Sequence, residues 1–346
     1  MSERVYLDWN ATAPLRPEAR AAMVAAFDVA GNPSSVHAEG RASRGIVEAA
    51  RADLAEALGC KPAEIVFTSG ATEAAGVLSG FDRVWVEPTA HDALWSHANA
   101  DSGPVDIRAM GIANSETGVV TSPPPEIGTG HLLLDVTQAV GRVPWSFAWS
   151  GADLAVLSAH KLGGPKGVGA LIVRDGLDIP PLQAGGGQEM GRRSGTENVV
   201  AIAGFAAAIR AAMAELEAGT WDRVAELRNI LENALASSEN KTIFVGQERG
   251  RLPNTSCIAT PGWKGETQVM AMDLAGFAIS SGSACSSGKV RTSRVLAAMG
   301  YDATTAQSAV RVSLGPITTQ DDVLRFAAAW GLARNKWRAR AGAAAA

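Results

Sequence analysis

The stretch LSAHKLGGPKGVGALIV, Leu157 to Val173, sets a lysine just after one apolar run and shortly before another. Both runs are apolar throughout rather than alternating, the pattern of strands covered on both faces. Between them, GGPKG (163–167) forms a flexible turn that a plain surface lysine does not require. Lys161 follows Ser158 and His160, and a lysine in a desolvated pocket can lower its pKa and form a Schiff base with an aldehyde. A lone lysine among glycines is also the ordinary content of a solvated loop, so its company along the chain decides the reading.

Outward from this stretch the same kind of short apolar run recurs, as EIVFT (64–68), RVWVE (83–87), HLLLD (131–135) and DLAVLS (153–158). Helical periodicity runs from Pro17 to Ala30 and from Gly40 to Leu58. The rhythm is that of an α/β layer with helices on both faces of a sheet. After Thr196 two long amphipathic helical patterns continue to about Ser237. Beyond them TIFV, NTSCIAT, FAISS and AVRVSLG alternate with helical stretches at 265–275, 290–299 and 318–340, which reads as a smaller α+β unit. With 346 residues the chain has room for about two domains at ~150 residues each. Its 31 basic and 35 acidic side chains give a net charge of −4, which argues against nucleic acid as a partner. Three cysteines, Cys60, Cys257 and Cys285, are too few and too unevenly spaced for a disulfide framework or a metal site, so a reducing compartment is expected. The start MSERVYLDWN has no apolar core of a signal peptide, and no run approaches ~18 apolar residues, so the expectation is a cytoplasmic protein without a membrane span.

Three further stretches carry candidate chemistry. In TSGATEA (68–74) a strand ends in a turn and a helix begins, so its amides can seat an anion or simply accept a cap. In LLLDVTQAVG, Asp135 closes an apolar strand with Gln138 three residues on; an acid there faces a ligand crevice or caps a helix. A phosphate cup, then an acid able to hold a pyridine nitrogen, then a lysine able to hold an aldehyde is the order needed for pyridoxal phosphate. In SSGSACSSGKVR (280–291), Cys285 sits among glycines and serines. Five residues rather than four separate Gly282 from Gly288, and Val290 stands where a P-loop needs Ser or Thr for magnesium. GGGQEMG likewise lacks the G-x-G-x-x-G spacing.

At this point YLDWNATAP, GNPSSVH, EIVFTSGATEA, DVTQAVG, SAHKLGGPKGVGAL, RRSGTENV, SSGSACSSG and AVRVSLG, in this order, resemble the class V, fold-type I pyridoxal-phosphate enzymes, specifically the cysteine desulfurases. The resemblance implies a large cofactor-binding domain at 14–235, with a mostly parallel sheet of the seven-stranded type covered by helices. It implies a small α+β domain from 1–13 and 236–346 that carries the cysteine loop. Lys161 is then expected to hold the cofactor, Asp135 to pair with its ring nitrogen and Gln138 with its ring oxygen. Ala71, Thr72, Ser158 and His160 are expected at the phosphate, joined by Thr196 from the second subunit of a homodimer. His91 matches the ring-stacking histidine, Arg311 the arginine that grips the substrate carboxylate, and Asn32 and Ser115 further substrate contacts. The implied reaction converts L-cysteine to L-alanine and leaves a persulfide on Cys285. That sulfur would pass to an acceptor or scaffold protein, for iron–sulfur cluster assembly. No metal ligand set is expected.

The sequence departs from the family's pattern in two places. Ser115 in ANSETGVV stands where the family has a second asparagine, so a weaker or water-mediated contact is expected. The segment from His91 to Asn114 is short, which implies a missing helix and strand pairing, and Ala90 replaces the family's glutamate. His37, His131, Cys60 and Cys257 read as structural. A selenocysteine lyase or class V aminotransferase is the rival enzyme, and a non-catalytic scaffold the rival of another kind.

Overall fold

The computed structural model describes residues 4–101, 103–123, 130–236, 242–282 and 292–344, with side chains to 341; Cys285, Lys289 and Arg291 lie outside the described residues. The chain divides into two compact units.

The larger unit, Thr12–Ala113 with Thr121–Ala218, is built on one sheet. Its strand order is Ile65–Thr68, Gly169–Val173, Leu154–Ser158, His131–Asp135, Ile107–Gly111, Val84–Val86. Gly169–Val173 runs antiparallel to both neighbours, while the pairings from Leu154–Ser158 outward to Val84–Val86 are parallel. Ile65–Thr68, Leu154–Ser158 and Gly169–Val173 are buried at every residue, as their unbroken apolar runs require. The described sheet has six strands, mostly parallel, in line with the expected fold class less the strand pairing expected to be missing. The shortened segment accounts for this: between Val84–Val86 and Ile107–Gly111 the crossover carries a single helical turn, Asp92–Trp95. That is too little chain for a further strand with its own covering helix.

Helix Ala38–Leu58 starts on His37, whose Nδ1 accepts from the Gly40 amide, and stops at Gly59, whose φ of 66° is the left-handed turn a glycine allows. It buries Val47, Ala50, Leu54 and Leu58 at helical spacing. His37 is thus a cap, in line with a structural role. Helix Val199–Glu217 is long and apolar enough to cross a membrane, contrary to the reading that no run approaches that length. It packs instead along Pro17–Phe27 and Ala38–Leu58, burying Ile202, Phe205 and Ile209, so its apolarity serves the core.

The smaller unit comprises Met1–Ala11, Asn114–Val120 and Gly219–Ala346. Its antiparallel sheet has the order Ser280–Ser281, Ala309–Ser313, Thr255–Ala259, Ile243–Phe244. The N-terminal strand Val5–Tyr6 pairs in parallel with Phe277–Ala278. Helix Thr220–Leu235, which the 14–235 boundary assigns to the large domain, groups here because Trp221, Val224, Leu227, Leu231 and Leu235 are buried while the helix packs on Gln320–Ala344. Segment 114–120 joins it through backbone bonds from Val120 N to Gly250 O (2.8 Å) and from Leu252 N to Gly118 O (2.7 Å).

Candidate active site

Every strand of the large sheet except Gly169–Val173 delivers its carboxyl end to one edge, and most of the candidate residues stand there. Asp135 and Ser158 are the last residues of their strands. Ala71 and Thr72 open the short helix Ala71–Ala75 just past Ile65–Thr68, and His91 follows Val84–Val86. Gly169 lets this edge close up. A methyl on it would stand 2.5 Å from the Leu157 carbonyl oxygen and 2.6 Å from the Gly70 Cα.

Lys161 is half-buried at the end of the 3-10 turn Ala159–Lys161. The carbonyls from 160 to 163 are all held: Ala13 N donates to His160 O (2.9 Å), Arg142 Nη2 to Lys161 O (3.1 Å), Arg16 Nε to Leu162 O (2.6 Å) and Arg16 N to Gly163 O (2.8 Å). Arg16 is itself fixed by two bonds to Glu215, of 2.7 and 2.6 Å. The lysine therefore departs from a backbone whose carbonyls are held on both sides of it.

Arg142 does a second job, donating from Nη1 to Gln138 Oε1. Gln138 is buried, and its Oε1 is committed to that bond. Asp135 Oδ1 accepts from the Thr137 amide (2.9 Å), which sets the carboxylate at the strand end. Helix Ala71–Ala75 has no side-chain cap on its first amides; Glu73 instead takes the Ser69 amide (2.7 Å) and Arg193 Nε (2.8 Å). Burial pushes the Glu73 carboxyl up, but those bonds outweigh it and hold the pKa below the ordinary carboxylate value. Ser158 is buried.

His160 lies with Nδ1 3.2 Å from Thr12 Oγ1. Burial, then the charges of Lys161 and Lys166, lower its pKa to about 4. The folded value lies below the ordinary 6.5, so the unfolded chain takes up the proton first; the resulting stability is complete above pH 6.5 and is lost as pH falls toward 4. An NMR titration of the cofactor-free protein should find the His160 imidazole neutral at pH 6, with a midpoint near 4. A midpoint near the ordinary 6.5 contradicts the burial and charge argument.

Donors for a phosphate, a carboxylate for a pyridinium N–H, an amide N–H for a phenolate oxygen and a lysine amine for an aldehyde occur together at this edge. The donor set fits pyridoxal phosphate. The other expected residues of the unit lie on its loops. His91 is exposed and caps Asp92–Trp95, its Nδ1 accepting from the Ala93 amide (3.1 Å). Asn32 is exposed and accepts from the Ser34 amide (2.9 Å). Thr196 is exposed two residues before Asn198, the cap of Val199–Glu217. Burial pushes the Cys60 and Cys257 thiols up to about 12, which disfavours their thiolates.

Arg311 and Ser115 belong to the smaller unit and meet there. Arg311 Nη1 donates to the Ser115 carbonyl (3.0 Å), so position 115 reaches the arginine through its main chain. Two polar residues of YLDWNATAP that the sequence reading left without a role join them. Asp8 Oδ1 accepts from Arg311 Nη2 (2.7 Å), and Asn10 Nδ2 donates to the Ser115 carbonyl (3.2 Å). They lie just past the two-residue strand Val5–Tyr6, where polar residues gave no signal of their partners.

The aminotransferase class-V pattern matches residues 5–89 and 102–326, omitting the short stretch that holds His91. The cysteine desulfurase of Frankia sp. (strain EuIK1) is 41% identical, over 92% of this chain and 88% of its own. That of Cereibacter sphaeroides is 38% identical, over 94% of each. The solved structure of a NifS-like protein from Rickettsia africae superposes with a TM-score of 0.85 at 28% identity, covering 96% of this chain and all of that one. With both compact units inside these matches and the donor set at the sheet edge, the chain belongs to the aminotransferase class-V family, whose cysteine desulfurases work with pyridoxal phosphate.

Proposed function

We propose that this protein is a cysteine desulfurase, converting L-cysteine to L-alanine and passing the sulfur through Cys285 to an acceptor protein. The observation that carries it is the pinned Lys161 beside Ser158, His160 and the Asp135–Gln138 pair, in a chain whose relatives bear that name. Pyridoxal phosphate, when bound, supplies the aldehyde that takes the substrate amine and an electron sink for its Cα.

The chain's own residues do the rest. Thr72, Ser158, His160 and the amide of Ala71 bind the phosphate, with Thr196 contributed across a homodimer. Neutral His160 offers an N–H, Asp135 accepts the ring N–H, and Gln138 donates to the ring oxygen. His91 stacks on the ring and moves protons. Arg311 grips the substrate carboxylate with a planar, permanently charged fork, helped by Asn32 and Ser115. The Lys161 amine, released when substrate binds, takes the Cα proton. The Cys285 thiolate then attacks the substrate sulfur: an S–S bond forms, the Cβ–S bond breaks, the electron pair left on Cβ takes up one proton, and the Lys161 ammonium returns another to Cα to give alanine. We infer a cytoplasmic setting, and iron–sulfur cluster assembly as the use of the sulfur.

The test pairs alanine with protein-bound sulfur in the wild type and in Cys285→Ala. The variant should lose the bound sulfur together with nearly all alanine formation. Alanine formation by Cys285→Ala at the wild-type rate would turn the reading toward a lyase that releases sulfur without a carrier cysteine.

A further inference from the structure

Arg311 is 4% exposed, and a permanently charged group so buried needs a counter-ion. Asp8 is that counter-ion, with Oδ1 2.7 Å from Nη2. Its second oxygen accepts from Ser280 Oγ (2.8 Å), and Ser280 lies directly opposite Arg311 in the sheet register. The Asp8 carboxylate thus binds both strands of that pair, while its own main chain is tied by the bond from Tyr6 Oη to Asp8 O (3.1 Å). On the other side of the guanidinium the Ser115 carbonyl takes Nη1 (3.0 Å). The Nε–H is buried and has no acceptor among the described residues. A buried N–H without a partner is costly, and among the described residues only the two terminal nitrogens of this guanidinium are held, which leaves Nε–H as a donor a substrate carboxylate can use.

We propose that Asp8 is the positioning residue for substrate carboxylate recognition. It acts through Arg311, neutralising it and fixing its plane so that its remaining N–H groups are set for the amino acid's carboxylate. The assignment rests on the reading that Arg311 binds that carboxylate. Removing Asp8 takes away the guanidinium's counter-ion among the described residues and leaves it the Ser115 carbonyl there, so the fork turns away and substrate capture suffers before the chemical step does.

The experiment measures kcat and KM for L-cysteine in holoenzyme carrying Asp8→Ala or Asp8→Asn, with thermal stability and the absorbance of the bound cofactor as parallel readouts. Asp8→Ala should raise KM about tenfold to a hundredfold, the range of a lost charge-assisted pair, with kcat within about threefold. Asp8→Asn keeps an oxygen acceptor for Nη2 and should fall between wild type and Asp8→Ala; it also serves if the alanine variant does not fold. Cofactor absorbance should be unchanged in both. An unchanged KM with lowered stability overturns the assignment and leaves a structural ion pair, as does a loss of kcat at constant KM. Wild-type protein that forms no alanine overturns the reading of Arg311 itself, a failure seen before any variant is compared.

Discussion

Replacing Lys161 with alanine is expected to lower alanine formation from cysteine by about 10³-fold or more, the loss associated with removing a group that acts as both covalent anchor and proton-transfer base. The side chain is half-buried, and the four consecutive carbonyls at 160–163 are held by Ala13, Arg142 and Arg16. The variant should therefore keep its fold and thermal stability, and the loss should appear in kcat. The cofactor's absorbance should also shift, because the lysine amine no longer bonds to its aldehyde. Alanine formation by Lys161→Ala at the normal rate contradicts the assignment, whatever happens to the spectrum.

The second large effect is on stability. Arg51 and Glu189 form a two-bond ion pair of 2.9 and 2.8 Å, with side chains 7% and 1% exposed. Burial works against the Arg51 charge, but its bonds to Glu189 outweigh that and hold the guanidinium charged. Arg51 also donates to the Ile65 carbonyl (2.7 Å), and Glu189 takes the Phe67 amide (2.8 Å), so the pair ties helix Ala38–Leu58 to strand Ile65–Thr68. Glu189 and Met190 have φ values of 49° and 57°, a left-handed conformation that side chains adopt only when held there. Arg51→Leu strands the buried carboxylate and should cost about 3–5 kcal/mol. Adding Glu189→Gln should recover part of that loss, since the uncompensated charge is gone while an acceptor remains for the Phe67 amide. Denaturant unfolding checks both; a cost below about 1 kcal/mol for Arg51→Leu would mean the pair contributes little.

The large sheet was legible because its strands are short unbroken apolar runs, and a doubly covered strand tolerates little else. The carboxyl-edge residues Asp135, Ser158 and Lys161 were legible for the same reason, each standing where such a run stops. Helix Thr220–Leu235 was legible as a helix but not in its allegiance. An amphipathic stripe shows that a face is buried and does not name what buries it. The shortening of the crossover after Val84–Val86 was legible in the small number of residues between His91 and Asn114. Asp8 and Asn10 were missed because their partners, Arg311, Ser115, Ser280 and Thr255, lie more than a hundred residues away, and single-chain patterning carries no signal of such pairing.

The central claim is the transfer of sulfur from cysteine to this protein's own thiol. A single-turnover reaction of holoprotein with L-cysteine, quenched and assayed for alanine and protein-bound sulfur together, tests it most directly. The account predicts one sulfur bound at Cys285 for each alanine formed, until an acceptor or reductant is added. Alanine formed with no sulfur on the protein, or cysteine consumed to pyruvate with no alanine at all, would contradict it.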